Sequence, residues 1–163
     1  MLILGIDPSL TATGWGAIHA DGSRLRHVAN GTVKVPASMP MPARLAALFE
    51  AVRKVIAETA PDEAAIEEVF SNQNPQSTLK LGQARGAVLA ALGAGGLGVT
   101  EYAPRLVKKA VVGTGKAEKR QVQNMIERLL PGAAPDSYDA ADALAVAIAH
   151  AGMASMNKMV MQA

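Results

Sequence analysis

The chain has no cysteine and few aromatic residues. None of its 163 residues is Cys, which excludes disulfides, thiolate nucleophiles and zinc–thiolate sites. Its apolar stretches are broken by glycine or charge well before the roughly 18 residues that a transmembrane helix needs. No basic segment precedes the apolar run at the N-terminus, so a signal peptide is not expected. These absences predict a cytoplasmic protein.

Length and composition predict one folded domain. Half of the residues are apolar, which is enough for a core in a chain of this length. Residues 1–152 show no internal repeat and no linker, and they are predicted to form a single domain. Residues 153–163 are rich in methionine and are predicted to form a flexible or frayed tail.

Hydrophobic periodicity predicts an α/β fold with the element order β-β-β-α-β-α-β-α-α-α. An N-terminal meander followed by alternating strands and helices indicates a mixed five-stranded sheet with helices on both faces. Ser77 and Ser137 are predicted to be the N-caps of two of the helices. The predicted strands are 2–7, 13–20, 24–35, 63–69 and 99–102, and the predicted helices are 42–60, 77–92, 104–112, 117–130 and 137–150.

Positive charge is concentrated in residues 105–128. This segment has seven Lys or Arg and two Glu, or +5, so with a total of +2 the rest of the chain sums to −3. Such a segment can bind a polyanion, although a solvated helix face would have the same composition. Lys108, Lys116 and Lys119 are the predicted phosphate contacts. Gly113-Thr114-Gly115 allows a phosphate to approach the backbone, where the following helix would offer free N–H groups.

Acidic residues mark three distant places in the chain. Asp7 ends the first strand, Glu67 and Glu68 end the fourth, and Asp139 and Asp142 share a face of the last helix. Carboxylates that meet at the ends of strands can bind Mg²⁺, and two such ions about 4 Å apart can promote in-line phosphoryl displacement. All of them except Asp142 also have an ordinary interpretation as a turn, a solvated strand end or a helix N-terminus. Asp142 lies one turn into a mostly apolar helix and is less easily explained in this way. Spacing alone does not choose between the two glutamates.

Taken together, these stretches resemble the RuvC family of Holliday-junction resolvases. The segments that carry the resemblance keep the family's order, and LKLGQARG with DAADALA is far more specific than GIDP alone. They are LGIDPSLTATGWG at 4–16, AIEEVF at 65–70, LKLGQARG at 79–86, VKKAVVGTGKAEKRQVQ at 107–123 and DAADALAVAIAH at 139–150. The resemblance implies a ribonuclease-H-like fold and a homodimer. It also implies paired, symmetric nicks in four-way DNA junctions by metal-assisted phosphodiester hydrolysis, during recombination and repair.

The resemblance assigns the catalytic and metal-binding role to four acids. They are Asp7, Glu67, Asp139 and Asp142, with Mg²⁺ as the cofactor, two ions per site, and Mn²⁺ as a substitute. Glu68 becomes a neighbour of the site. The family pattern after the first acid is Asp-Pro-Gly, whereas this chain has Ser9, which would strain the loop if the position had positive φ.

The resemblance also suggests contacts outside the acidic site. Phe70 would stack on unpaired or distorted bases at the junction centre. The helix around 79–92 would pair with its twin across a two-fold axis. A branch-migration motor complex is a candidate partner. The predicted DNA contacts are Phe70, Asn72, Gln73, Lys108, Lys116, Lys119 and Arg120, and the predicted dimer contacts are Leu81, Ala84 and Val88.

Three other functions compete with the junction endonuclease. A module could bind branched DNA without cutting it, but the presence of all four acids argues against this. GIDPSLTATG could be the phosphate loop of an actin-like or sugar-kinase-like phosphotransferase, but that fold normally needs two such domains and a longer chain. An RNA-processing nuclease of the same fold is the third alternative, and LKLGQARG favours the resolvase.

Overall fold

The protein forms one five-stranded mixed sheet, in the order β3-β2-β1-β4-β5. The computed structural model describes residues 1–68 and 74–161. Strands β1, β2 and β3 form an antiparallel meander, and β4 and β5 extend it in parallel with β1. The strands are β1 Leu2–Asp7, β2 Ala12–Asp21, β3 Arg24–Lys34, β4 Glu63–Glu67 and β5 Gly98–Tyr102.

Helices cover both faces of this sheet. Ile3 faces a core built with α3, α4 and α5, whereas Leu4 and Ile6 face a second core built with α1 and α2. Because β1 is buried on both faces, its sequence is continuously apolar rather than alternating. The helices are α1 Met41–Thr59, α2 Pro75–Ala94, α3 Pro104–Val112, α4 Lys119–Leu129 and α5 Tyr138–Met161. The predicted fold class is confirmed.

The ends of two helices correct the sequence prediction. The N-cap of α2 is Asn74, whose side chain accepts hydrogen bonds from the N–H groups of Gln76 and Ser77, so Ser77 is not the cap. The reason is Pro75, which suits the first helical position because it has no N–H to satisfy. Helix α5 continues past His150 to Met161. Flexibility of the tail remains a prediction.

Helix α5 lies unusually close to the sheet because the strands below it carry glycine. A Cβ atom at Gly5 would lie 2.1 Å from the Ala143 carbonyl oxygen, and one at Gly14 would lie 1.9 Å from the Asp139 carbonyl oxygen. A Cβ at Gly16 would lie 2.6 Å from Leu144. Real side-chain atoms cannot approach so closely, so these glycines set the height of α5 above β1 and β2.

Two of the predicted dimer contacts are wrong. Ala84 and Val88 are completely buried in the protein's own core, where α2 packs against α1 and the sheet. They therefore cannot contact a partner while this core is intact. Leu81 is half-buried, and the outward face of α2 carries Gly82, Gly86 and Leu79, which is 64% exposed.

Within the part of the chain that the structure describes, no helix is both long and apolar enough to span a membrane.

Candidate active site

Asp7 and Glu67 end two adjacent parallel strands. Ile6 pairs with Ile66 in the ladder between β1 and β4, so the two acids that follow lie side by side at the carboxyl edge of the sheet. Alternation places Glu67 on the same sheet face as Ala65, which contacts the core of α3, α4 and α5. Both carboxylates therefore belong to the edge where open α/β sheets bind their ligands.

Asp139 and Asp142 reach this edge from the start of α5. Asp7 pairs with Gly14 on β2, and Gly14 is the residue on which the Asp139 backbone rests. The first turn of α5 is fixed by Ser137, whose Oγ accepts the Ala140 N–H at 3.1 Å, as predicted for this cap. The glycine contact and the cap together bring the two helix acids over the strand ends.

The four acids act on one another electrostatically. Burial is the largest of the effects that raise the pKa of Asp7 to about 8, and the charges of Glu67, Asp142 and Asp139 add to it. Burial, followed by the charge of Asp142, raises the pKa of Glu67 to about 7. The pKa of Asp142 is also raised, first by burial. Carboxylates in this state need a nearby cation to become ionised easily.

Two lysines enter the same cavity from α3 and the start of α4. The cavity has a volume of about 170 Å³ and is lined by Glu67, Asp142, Lys108 and Lys119, with an apolar wall formed by Pro104, Val107, Val122 and Ala145. The Nζ atom of Lys119 lies 3.8 Å from Asp142 Oδ2 and 5.6 Å from the centre of the Tyr138 ring. Both lysines lower the pKa values of Glu67 and Asp142.

The donors in this cavity fit a hard divalent cation. They are carboxylate oxygens, which Mg²⁺ prefers, and Mg²⁺ keeps several of its waters and so needs few protein ligands. Over residues 1–68 and 74–161, no three His, Asp or Glu side chains are arranged as a finished coordination site. Repulsion between neighbouring carboxylates adds to burial in raising the pKa values of Asp7, Glu67 and Asp142. A cation would remove that repulsion.

Comparison with known proteins agrees with this geometry. The family model described as crossover junction endodeoxyribonuclease RuvC matches residues 3–150. The chain belongs to the RuvC family.

Close relatives of this RuvC chain extend over nearly its whole length. RuvC of Erythrobacter litoralis is 62% identical over 155 residues, which is 95% of each chain. RuvC of Sphingopyxis alaskensis is 61% identical over 151 residues, or 93% of this chain and 97% of the relative. The solved structure of Thermus thermophilus RuvC in complex with Holliday junction substrate is 34% identical, covers 96% of both chains and has a TM-score of 0.89.

Ser9 replaces the glycine of the RuvC pattern without backbone strain. Among the described residues, Ala60 is the one non-glycine position with positive φ, so Ser9 has an ordinary backbone conformation. Its hydroxyl accepts the N–H groups of Thr11 and Ala12 at 3.3 and 3.5 Å, and its carbonyl accepts the Thr13 hydroxyl at 2.5 Å. The serine therefore stabilises the turn after Asp7.

The predicted DNA contacts fall into three groups. Lys108 and Lys119 line the acidic cavity. Lys116 and Arg120 are exposed nearby, in the loop before α4 and in its first turn. Phe70, Asn72 and Gln73 lie outside the described residues, and their roles remain predictions.

The start of α4 corrects one part of the phosphate-site prediction. Glu118 and Gln121 form a reciprocal capping box, in which the Glu118 side chain accepts the Gln121 N–H and the Gln121 side chain accepts the Glu118 N–H at 2.8 Å. This cap takes up the Gln121 N–H and places a carboxylate at the helix N-terminus, which disfavours a phosphate there. Phosphate binding by Lys108, Lys116 and Lys119 therefore remains a prediction that does not depend on this helix end.

Sequence reasoning missed two groups of residues that shape this RuvC site. Gly5, Gly14 and Gly16 lie within the family motif at 4–16, but the pattern of apolar residues did not indicate that they pack against a helix. Arg85, inside LKLGQARG, was given no role. The available signal was a charged residue on a largely apolar helix, three residues before the buried Val88. Such a residue is expected to have a specific hydrogen-bonding partner.

Proposed function

We propose that this protein is a metal-dependent endonuclease that resolves four-way DNA junctions during recombination and repair. The observation that carries the proposal is the cavity in which Glu67 and Asp142 lie with Lys108 and Lys119, adjacent to Asp7. The carboxylates suit a metal ion, and the two lysines beside them suit the phosphate that the metal would contact. Family membership supplies the substrate class, since the Thermus thermophilus relative was solved with a Holliday junction substrate.

The four acids would hold Mg²⁺, two ions per site, with Mn²⁺ as a substitute. Bound magnesium would supply a Lewis acid for the scissile phosphate and lower the pKa of a bound water. Asp7 and Glu67 come from rigid strand ends, and Asp139 and Asp142 come from a helix that cannot move toward the sheet. Such anchoring would limit the movement of the carboxylates once a metal ion is bound, as catalysis requires.

Lys108 and Lys119 would have two tasks. Their charges lower the pKa values of Glu67 and Asp142 and so favour the ionised carboxylates at neutral pH. The same ammonium groups would pair with the phosphates on either side of the scissile bond, with Lys116 and Arg120 extending the contact. Phe70 would stack on a base at the junction centre, with Asn72 and Gln73 beside it.

A homodimer would align two such sites on one junction. The exposed face of α2 offers Leu79 and the glycines at 82 and 86, where a helix from a second copy can approach closely. A two-fold axis through this face would match the near two-fold symmetry of a four-way junction. Two equivalent active sites would then nick strands of like polarity. A motor complex that delivers the junction remains a prediction without an assigned surface.

The direct test is cleavage of a synthetic four-way junction with Mg²⁺. The parent protein should make paired nicks near the crossover, and Asp7→Asn should bind the junction but cut at least about a hundredfold more slowly, because it loses an inner metal ligand. Asp21→Asn is the matched control, since Asp21 is an exposed residue of the β2–β3 hairpin and asparagine suits that turn. Equal cleavage by the parent and Asp7→Asn would reject the mechanism.

The same assay separates the alternatives. A binding module would hold the junction without magnesium-dependent nicks. An RNA-processing nuclease would cut structured RNA faster than junction DNA when both are present at equal concentration. The proposal requires the junction to be cut in preference to a linear duplex and to the RNA.

A further inference from the structure

Arg85 joins helix α2 to the end of strand β4 that carries a catalytic acid. Its side chain is only 13% exposed, although it is charged. Its Nη1 donates to the carbonyl oxygen of Glu67 at 2.5 Å, and its Nη2 donates to the carboxylate of Glu101 on β5. One guanidinium group thus bridges the backbone of one strand and the side chain of the next.

The bridge lies on the sheet face opposite the acidic cavity. Ile66 belongs to the core of α1 and α2, and it pairs with Glu101 in the ladder between β4 and β5. The Glu67 side chain points to the other face, into the cavity formed with α3, α4 and α5. Arg85 therefore contacts the backbone of Glu67 and does not enter the cavity that the carboxylate occupies.

The contact between Arg85 and the Glu67 carbonyl lies where the ladder between β4 and β5 ends, at Glu67 and Tyr102. The Glu68 N–H bonds to the Tyr102 carbonyl at 2.8 Å, one residue past the end of β4. The Glu67 carbonyl oxygen, on the same peptide group, accepts the hydrogen bond from Arg85. A partly buried carbonyl at a strand end is stabilised by such a donor, and a charged donor gives the stronger hydrogen bond.

We propose that Arg85 is a positioning residue for the cleavage reaction: it fixes the backbone of Glu67 from behind the sheet and so holds the Glu67 carboxylate in place. This inference rests on the proposed function. It gives the arginine of LKLGQARG a physical role that contact with DNA would not supply. Lysine cannot replace it, since a single ammonium does not reproduce the planar two-pronged contact.

The test uses Arg85→Lys and Arg85→Ala, with Arg53→Lys and Arg53→Ala as matched controls. Arg53 also donates a guanidinium hydrogen bond to a backbone carbonyl, that of Ala94 at 3.1 Å, but at the far end of α2. Single-turnover cleavage by both Arg85 variants should fall by about 10- to 100-fold, the range for residues that orient metal ligands. Junction affinity should stay within about threefold of the parent, and the Arg53 variants should cleave normally.

Mn²⁺ binding to the DNA-free protein gives a readout independent of cleavage. Titration followed by electron paramagnetic resonance should show about tenfold or more weaker binding for the Arg85 variants and parent affinity for the Arg53 variants. Methylguanidinium should restore part of the lost cleavage and Mn²⁺ affinity to Arg85→Ala. If the Arg85 variants fail to fold, Glu101→Gln takes their place, and it should weaken Mn²⁺ binding because the bridge loses its charged partner.

Three results would overturn the inference. One is parent-level cleavage and Mn²⁺ affinity in folded Arg85→Lys. Another is a loss of junction affinity as large as the loss of cleavage, which would make Arg85 a DNA contact. The third, if Glu101→Gln must be used, is unchanged Mn²⁺ affinity in that variant. Failure of the parent protein to cut junctions would reject the proposed function instead, and the Mn²⁺ titrations would still decide the role of Arg85.

Discussion

Helices α5 and α2 are similar in sequence and different in use. Both are long, rich in alanine and weakly amphipathic. Every residue of α5 from Ala140 to Ala151 except Asp142 is buried, whereas α2 buries one face and exposes the other. The difference lies in the neighbours: α5 lies on glycines and is covered by α3 and α4, whereas among the described elements α2 packs against α1 and the sheet. The amino-acid composition of a helix limits how much apolar surface it can bury, and the elements packed against it determine how much is buried.

The largest expected effect is that of a methyl group placed under α5. Gly14→Ala puts a Cβ 1.9 Å from the Asp139 carbonyl oxygen, so the start of α5 must move. We expect unfolding free energy to fall by about 1–3 kcal/mol in urea titration. Cleavage should fall by about a hundredfold, because a displacement of about 1 Å at a catalytic group has that cost.

Junction affinity is the control measurement for Gly14→Ala, and it should remain near that of the parent because the lysines lie on other elements. Parent-level cleavage by a folded Gly14→Ala protein would show that α5 can shift without moving its acids.

The raised pKa values of the acids next to α5 should lower the unfolding free energy of the metal-free protein as pH rises. Asp7 has a folded pKa of about 8 against about 3.8 when unfolded, and the pKa of Glu67 is likewise raised, to about 7. The folded state therefore binds more protons, and stability present at pH 4 is lost on the way to pH 8. At least about 2 kcal/mol should disappear between pH 5.5 and 8.5, at about 1.4 kcal/mol per pKa unit.

Urea unfolding at both pH values, in the presence of a chelator, measures this loss. Asp7→Asn should flatten the dependence, and Mg²⁺ should oppose the loss at pH 8.5 by binding the folded state. Stability that rises between pH 5.5 and 8.5 in the metal-free parent would contradict the electrostatic description of the site.

On the α2 side, charge on the outward face should break the proposed dimer. Leu79→Asp should weaken self-association by at least about tenfold, since burying a leucine side chain is worth about 1.5–3 kcal/mol. Sedimentation velocity measures the change. Leu106→Asp is the matched control, because Leu106 is a 41% exposed leucine on α3, behind the other face of the sheet. Equal dissociation by both variants, or by neither, would remove α2 from the interface.

The smallest expected effect is a gain in unfolding free energy when a glycine on the exposed face of α2 is replaced by alanine. Apart from its chain neighbours and the backbone of its own helix, no described atom lies within 4 Å of a Cβ built at Gly86, so Gly86→Ala adds helix propensity without a clash. In the Leu79→Asp background, where a partner helix would no longer interfere, unfolding free energy should rise by about 0.5–1 kcal/mol. A loss instead would mean that this face of α2 is covered within the monomer.

Local rules were enough for most of the backbone. The strand-ending Asp7, the helix from Pro104 to Val112 and the Ser137 cap follow from short-range chemistry, and each was predicted. The predicted cap at Ser77 is wrong, because Pro75 occupies the first helical position and makes Asn74 the cap. The dimer residues Ala84 and Val88 were wrong because periodicity identifies an apolar face without identifying what covers it.

The sequence by itself determined the order of strands and helices, the two-sided burial of the sheet and the residue types of the acidic site, because these depend on hydrophobic period and side-chain chemistry. Only the tertiary structure decided that Asp7 and Glu67 share an edge, that glycine contacts bring Asp139 and Asp142 over them, and that Arg85 donates a hydrogen bond to the Glu67 carbonyl. Those facts depend on strand register and on the distance between a helix and a sheet, and no local pattern encodes either one.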